Sequence, residues 1–403
     1  MRRERSLPAG FGTIWTAVAL DLVGFGIVLP ILPLYAERFD ASPLVVGLLV
    51  ASFSLAQFVC APFLGRLSDR VGRKPVLLVS LVGTAVGSLL TGLAGNLALL
   101  FVGRVVDGVS GASVSVAQAA VADIAPPAQR ARLLGLLGAA FGLGFVAGPA
   151  LGGLAALGGP HVPFLLAAAI AGVNAVVAWR RLPETNPNVL SRGTWQEAPR
   201  STGQNGEVRG ELRVLVAVAF TSLVAFSGFE ATFALFGERR LGLGLASAGA
   251  VFAAIGLLLA AVNAGVVGRV VGRIGEVGTL RVGLVLNATG LLLLPAVRSW
   301  LALVPAVALL TVGQGLVTPA MSSVVAGRAG HDRRGRALGA QQSAGSLARV
   351  VGPAAAGALF GHVGTGSPYV AGAVLVVVAA VLTRGLRPSA SLATPATSPP
   401  ARR

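Results

Sequence analysis

GRLSDRVGRK occupies residues 65–74 and lies between two long apolar runs. The hydrophobic residues make up 54% of the chain and the charged residues only 12%, with a mean hydropathy of +0.80. A soluble domain is normally about a quarter charged, so this composition indicates a protein whose solvent is lipid. The decapeptide is therefore expected to be a short polar connection between two membrane spans. Its five charged residues are Arg66, Asp69, Arg70, Arg73 and Lys74.

Apolar stretches long enough to cross the bilayer recur along the whole chain. A helix needs about 20 residues to cross about 30 Å of hydrocarbon. Backbone exposed to lipid must satisfy its own N–H and C=O groups, which favours helices, and the short alternating segments of a β-barrel are missing. We therefore predict an all-α membrane protein with twelve transmembrane helices in two pseudo-symmetric six-helix bundles. The predicted spans are residues 12–35, 44–65, 75–95, 97–120, 133–157, 161–181, 212–237, 244–268, 278–297, 299–325, 336–360 and 366–386.

The net charge of +17 is distributed asymmetrically. Most of the basic residues lie in the N-terminus, the connections that follow even-numbered spans, and the C-terminal tail. This bias places both termini in the cytoplasm and favours contact with anionic lipids rather than with nucleic acid. The preference for Arg over Lys, with abundant Ala, Gly and Val, is typical of a GC-rich bacterial genome, and we expect a multi-pass protein of the bacterial inner membrane. Only four basic residues lie in the opposite loops, namely Arg38, Arg239, Arg240 and Arg298.

Several kinds of chemistry have no sequence signal here. Cys60 is the only cysteine, which excludes an intramolecular disulfide. Lys74, the only lysine, precedes Pro75, which excludes a phosphate-binding GxxxxGK[ST] loop. The three histidines form no HExxH pattern, and no GxSxG pattern is present. We expect no cofactor, no metal site and no enzymatic activity.

The chain divides into two related halves. Residues 1–181 and 212–386 are the predicted bundles, joined by a polar cytoplasmic linker at 182–211 and followed by a disordered tail at 387–403. GRLSDRVGR (65–73) matches GRVVGRIGE (268–276), RLLG (132–135) matches RALG (336–339), and GPALGG (148–153) matches GPAAAG (352–357). The distances agree, because Gly65 to Gly148 is 83 residues and Gly268 to Gly352 is 84. Tandem repeats of this kind are typical of secondary transporters.

At these motifs the chain resembles the major facilitator superfamily over essentially its whole length. GRLSDRVGRK is similar to the superfamily's signature between helices 2 and 3. RVVDGVSGA (104–112) resembles the helix-4 stretch, with Asp107 in place of the usual Gln. GFVAGPALGG (144–153) resembles the motif of drug:proton antiporters, and LDLVGFGIVLPILP (20–33) resembles the opening of that branch. The acidic residues that tetracycline exporters carry in helices 3 and 9 are missing, which argues against tetracycline specificity.

The resemblance implies a cytoplasmic gate at the opening decapeptide. Asp69 would cap helix 11 near Gly335, and Arg73 would pair with Asp123 below helix 4. A carboxylate suits a helix N-terminus because of the exposed N–H groups and the dipole there. The alternative is that the decapeptide is only a solvated turn. The gate residues are Gly65, Asp69, Arg70, Gly72, Arg73, Lys74 and Asp123.

Ionisable residues inside the predicted spans are candidates for function, because each costs about 2.5–3.5 kcal/mol to insert. Asp21 in helix 1 has no charged neighbour in sequence, and burial favours the neutral form of a carboxyl group. We therefore expect Asp21 to be the proton-coupling site, with Asp107 as the second candidate. Asp107 lies three residues after Arg104, so the two form a natural intrahelical ion pair, which is alternatively only structural. Glu230 in helix 7 and Arg349 in helix 11 are candidate substrate-cavity residues.

Small residues form a stripe on helix 5. Gly144, Gly148 and Gly152 repeat every four residues, with Pro149 and Gly153 beside them. Such a stripe allows close backbone contact, and proline disrupts the hydrogen-bond ladder. The stripe is either ordinary helix packing or a bend that shapes a moving interface.

Together these features predict a monomeric, proton-coupled exporter of small amphipathic compounds or drugs that works by alternating access. Its partners would be a small-molecule substrate, protons and the lipid bilayer. The main alternative is a transporter of the same fold that moves sugars, amino acids or other metabolites.

Overall fold

The computed structural model describes residues 7–111, 113–126, 129–186, 206–329 and 334–386. Within these ranges all regular structure is helical and no strand is present, which confirms the predicted all-α class. The predicted tail at 387–403 and most of the linker lie outside the described residues. The α-helices are α1 (Phe11–Glu37), α2 (Pro43–Val71), α3 (Arg73–Gly92), α4 (Leu97–Ser110), α5 (Ser113–Ile124), α6 (Arg130–Ala155), α7 (Val162–Arg181), α8 (Gly206–Leu241), α9 (Leu245–Ala261), α10 (Val267–Leu293), α11 (Trp300–Arg328), α12 (Arg334–His362) and α13 (Ser367–Leu382).

Side-chain caps mark where three of the helices begin. Ser42, Asn96 and Ser299 each accept a hydrogen bond from the backbone N–H three residues later, at the starts of α2, α4 and α11. Such caps satisfy one of the N–H groups that a helix leaves unpaired at its first turn. α4 and α11 occupy corresponding places in the two halves, so the repeat extends to this detail.

Ten described helical segments are long and apolar enough to span a membrane. One of them, Leu245–Ala296, is 52 residues long and contains Gly275 in a non-helical conformation (φ 73°, ψ 174°), at the repeat position of Gly72. A segment of that length divides naturally into two spans at this glycine. α12 is not among the ten segments. The predicted total of twelve therefore stays a prediction.

One predicted span is divided near its middle. The fourth predicted span, 97–120, contains α4 and the first part of α5, and α4 ends at Ser110 with Gly111 as its C-terminal cap residue. The amide group of Gln57 donates a hydrogen bond from Nε2 to the Gly111 carbonyl oxygen. A side chain of α2 thus satisfies a backbone acceptor at the break, as a membrane interior requires.

The helices pack in mirrored pairs. In the first half α1 packs on α6 and α7, α3 packs on α4 and α7, and α2 packs on α4. In the second half α8 packs on α12 and α13, α10 packs on α11 and α13, and α9 packs on α11. The halves meet where α2 packs on α12, where α6 packs on α9, and where α1 contacts α8.

The two ends of the molecule differ. We call the end at which Glu37, Pro43 and Arg239 lie the outer end, and the end that carries Arg73 and Glu184 the inner end. Close contacts between the halves lie towards the outer end, where a Cβ on Gly47 would clash with the Pro353 carbonyl and one on Gly357 with the Pro43 carbonyl.

The face of α2 that contacts α12 at the outer end loses this contact towards the inner end. Phe58 on this face is 38% exposed, and a Cβ on Gly65 would meet no described atom within 4 Å. The described halves are therefore closed at the outer end and open towards the inner end.

Candidate functional site

The opening decapeptide forms a turn at the inner end, between α2 and α3. Arg73 donates hydrogen bonds from Nη1 to Asp69 and to Ser68 Oγ (2.7 Å), and from Nε to Asp123 Oδ2 (2.9 Å). Arg73 and Asp123 thus form the pair that the resemblance implies. The turn itself has Gly72 at φ +110°, a conformation that side chains rarely adopt.

Asp69 contacts Arg73, one turn away along the chain, and its side chain is 50% exposed. The predicted cap on the start of helix 11 involves side chains at 334–336, which lie outside the described side chains. Arg70 is exposed. The backbone N–H of Lys74 donates a hydrogen bond to a residue that was not among the predicted gate residues.

That residue is Glu184, which follows α7. Its carboxylate accepts hydrogen bonds from the backbone N–H groups of Arg73 (2.9 Å) and Lys74 (3.1 Å), at the first turn of α3. Asn186 donates from Nδ2 to the Asp69 carbonyl (2.8 Å), at the last turn of α2. Partial burial acts to raise the pKa of Glu184, but the N–H groups of Asn186, Arg73, Lys74 and Thr185 outweigh it and lower that pKa.

The segment 183–186 therefore holds both helix ends of the signature turn. Only its position, just after an apolar span, could have drawn attention to it. The sequence analysis assigned it to the polar linker.

The Arg104–Asp107 pair lies buried in α4. Nη1 of Arg104 is 2.8 Å from Oδ2 of Asp107, and the two side chains are 5% and 9% exposed. The guanidinium also stacks over Phe53 of α2, 4.4 Å from the ring centroid, and Thr84 of α3 forms a hydrogen bond with Asp107. The pair thus ties α4 to two neighbouring helices, and the positive charge compensates the carboxylate.

Asp21 lies against the break between α4 and α5. Ser113, the first residue of α5, donates a hydrogen bond from Oγ to Asp21 Oδ2. The other carboxylate oxygen, Oδ1, is buried and has no hydrogen-bond partner among the described residues. Asp107 is near enough to interact electrostatically with Asp21. The structure therefore brings both proton-site candidates into one region, with the Asp21 carboxylate beside Ser113 of α5.

Glu230 and Arg349 come together from α8 and α12. They interact electrostatically without forming a direct ion pair within the described residues. Arg349 is exposed and Glu230 is partly buried. Neither charge is therefore neutralised by a direct ion pair among the described residues.

The glycine stripe of α6 is a contact surface on two sides. A Cβ on Gly144, Gly148 or Gly152 would press against α1, at Leu22, Gly26 or Ile27. On the other side Gly153 meets Gly249 of α9, and the Pro149 carbonyl lies against the same glycine. The stripe thus packs α6 within its own half and against the other half at once.

At the outer end an ion pair joins the halves. Nη2 of Arg239, on α8, lies 2.9 Å from Oε1 of Glu37, on α1, and the guanidinium stacks over Phe360 at 5.0 Å. Glu238 lies beside Glu37 and interacts with it. The sequence analysis noted Arg239 only as a loop cation, because no local pattern connects it with residue 37.

Within the described ranges, no group of three or more His, Cys, Asp or Glu side chains is arranged to hold a metal ion.

Comparison with known proteins places this architecture among transporters. The profile described as "Major Facilitator Superfamily" matches residues 14–295 and 258–402. The chain is 33% identical over 380 residues to the "Tetracycline resistance protein, class E" of Escherichia coli, covering 92% of this chain and 93% of that protein. It is 28% identical over 377 residues to "Multidrug resistance protein 1" of Bacillus subtilis, covering 91% and 94%. Among solved structures, the human organic anion transporter MFSD10 (TETRAN) aligns with a TM-score of 0.69 and 27% identity, covering 93% and 98%.

Proposed function

Because this chain belongs to the major facilitator superfamily, we propose that it is a drug-efflux transporter that exports small amphipathic compounds in exchange for protons. The relatives that are named for tetracycline and multidrug resistance support drug efflux. The observation that carries proton coupling is Asp21, a carboxyl group inside a span with one oxygen held by Ser113 and the other unpartnered among the described residues. A carboxyl group in such surroundings can gain and lose a proton without breaking an ion pair.

The described conformation fits the loading step of an exporter. The halves are closed at the outer end and open towards the inner end, so substrate would enter from the inner side. Protonation of Asp21 and binding of substrate would favour different orientations of the halves, which is the condition for coupled exchange. One proton moving inward supplies about 2.3 kcal/mol per 100 mV and about 1.4 kcal/mol per pH unit.

The surroundings of the protein form part of the same proposal. We assign it to the bacterial inner membrane, as a monomer with both termini in the cytoplasm and its basic inner end against anionic lipids. The moving units would be the bundles 1–181 and 212–386, connected by 182–211. In this arrangement Glu184 and Asn186 keep the beginning of the connection attached to the first bundle.

The test is a drug-susceptibility panel in an efflux-deficient bacterial host, together with proton release from everted membrane vesicles. The intact protein should raise resistance to at least one compound, and that compound should collapse a preformed pH gradient. Asp21→Asn should abolish both effects at normal expression.

Asp40→Asn is the matched control, because Asp40 is exposed in an outer loop at φ 57°, where Asn is tolerated. It should behave like the intact protein. Undiminished uphill export after Asp21 and Asp107 have both been replaced by Asn would contradict the proposal.

A further inference from the structure

α12 has four distinct sides, and Arg349 lies on the one between its contacts with α8 and with α2. Ala348, Gly352 and Ala356 face α8, where a Cβ on Gly352 would meet Ser227 and Ala348 accepts a hydrogen bond from the same serine. Pro353 and Gly357 face α2. At about 3.6 residues per turn, position 349 falls halfway between these two directions.

The lipid-facing side of α12 lies opposite. Leu347 and Val351 are 42% and 39% exposed and point about 180° away from Arg349. Because α8 and α2 belong to different halves, the direction between them leads into the space between the halves. The exposure of Arg349 is therefore exposure to the cavity and not to lipid.

Other polar residues share this face of α12. Gln342 is exposed two turns towards the inner end, and Ser346 is partly exposed between them. These polar positions make α12 less apolar than the ten segments that are apolar enough to span a membrane. A polar stripe on a helix inside a membrane protein lines a water-filled or ligand-filled space.

Packing does not account for the charge at position 349. In the first half, the repeat places Phe145 at the corresponding position, three residues before Gly148 as Arg349 is three before Gly352. The Phe145 carbonyl lies against Gly256 of α9. The fold therefore accepts an apolar residue here, and the second half carries a guanidinium instead.

The charge of Arg349 is also incompletely compensated. Arg104 is neutralised by Asp107 at 2.8 Å, whereas Arg349 has no carboxylate in ion-pair contact within the described part of the chain. Glu230, on the neighbouring α8, is the acidic group that acts on it electrostatically. A planar guanidinium with free donors is suited to bidentate binding of a carboxylate, sulfonate or phosphate group.

We propose that Arg349 is an anion-binding subsite in the cavity, and that its guanidinium binds the acidic group of those exported compounds that carry one. Glu230 lowers the attraction of the subsite for anions when no substrate is bound. The inference rests on the proposed efflux function and names one substrate class within it, organic anions, including zwitterions with an exposed acidic group; compounds without such a group would be carried without using this subsite.

The experiment compares fluorescein, an anion, with rhodamine 6G, a cation built on the same xanthene ring system. Purified protein is reconstituted in liposomes, and accumulation of each dye is measured under an imposed pH gradient. Arg349→Gln should raise the KM for fluorescein by about tenfold or more, the effect of losing a charged hydrogen bond. Arg349→Lys should recover part of the affinity, and neither variant should weaken rhodamine 6G transport.

Two further variants separate binding from structure. Glu230→Gln should lower the KM for fluorescein, which loss of a structural ion pair would not do. Arg298→Gln, an exposed arginine in an outer loop, should change neither dye's transport. Equal loss of both dyes in Arg349→Gln would overturn the proposal by making the role structural.

The remaining outcomes distinguish this inference from the proposed function and from lipid binding. Export of rhodamine 6G but not fluorescein by the intact protein would leave proton-coupled efflux standing and overturn the anion subsite. The effect of Arg349→Gln should be the same in liposomes with and without anionic lipid. An effect confined to liposomes with anionic lipid would assign Arg349 to lipid headgroups and overturn the proposal.

Discussion

The protonation of the Asp21 carboxyl group depends on one neighbouring hydroxyl group, that of Ser113. Its Oδ2 atom receives the Ser113 hydroxyl, and the Oδ1 atom is buried without a partner among the described residues. An O–H donor stabilises the ionised carboxylate more than the protonated acid. Ser113 therefore controls how readily the proposed coupling group takes up a proton, without itself exchanging one.

Replacing Ser113 by Ala should preserve transport while moving its pH dependence. Loss of the donor disfavours the ionised carboxylate, so half-maximal proton-coupled transport should move to higher pH by about one unit. The measurement is the pH profile of dye accumulation in proteoliposomes.

Ser110→Ala is the control, because among the described residues the Ser110 hydroxyl donates its hydrogen bond to the Val106 carbonyl of its own helix. An unchanged profile in Ser113→Ala would show that the hydrogen bond does not affect coupling.

Among the helices, the ends of α2 and α3 depend on a segment distant in sequence. Glu184 occupies the N-terminus of α3, where Arg73 and Lys74 offer unpaired N–H groups, and a Cβ on Gly72 would clash with its carboxylate. The Glu184 carboxylate thus fits against the turn only because residue 72 is glycine. Its hydrogen bonds fix the turn that carries Asp69 and Arg73, so their loss should affect both stability and gating.

Glu184→Ala should lower the stability of the protein in detergent by about 1 kcal/mol, the usual effect of losing a helix cap. Glu184→Gln should lower it less, because one acceptor oxygen remains. Since the folded state lowers the pKa of Glu184 below its ordinary 4.5, the stabilisation is complete at neutral pH and disappears as the pH falls through the lowered pKa. Thermal unfolding measured at neutral and acidic pH should therefore show the variants converging with the intact protein in acid.

Sequence alone predicted what depends on local pattern. Apolar length predicted the helices, the three-residue spacing predicted the Arg104–Asp107 pair, and the four-residue repeat predicted the packing stripe of α6. The end of α4 was missed because it lies inside a span that was predicted from its overall length and apolar content. The roles of Ser113 and Glu184 were missed because each depends on a contact with a distant segment, 92 residues away for Ser113 and 111 for Glu184.

For the whole molecule, the arrangement of charges differs between the two ends. At the inner end the Arg73–Asp123 pair lies within one half, whereas at the outer end Glu37 and Arg239 connect the two halves. Arg239 also interacts electrostatically with Glu238, an acidic residue of its own half that lies beside Glu37 of the other half. The outer pair therefore favours the closed outer end, and its partial exposure limits its contribution to about 1 kcal/mol.

Replacing Arg239 by Gln should shift the population towards a conformation open at the outer end. The cation that offsets Glu37 and Glu238 would be lost while the two acidic groups stay side by side across the interface, so the open population should rise up to about fivefold. Spin labels at Leu157 and Val363, which are 74% and 71% exposed at the outer end of different halves, report the distance distribution.

Arg239→Lys should largely restore closure. Arg240→Gln is the control, because Arg240 bonds Thr365 of its own half. Identical distance distributions in Arg239→Gln and the intact protein would show that this pair does not hold the outer end closed.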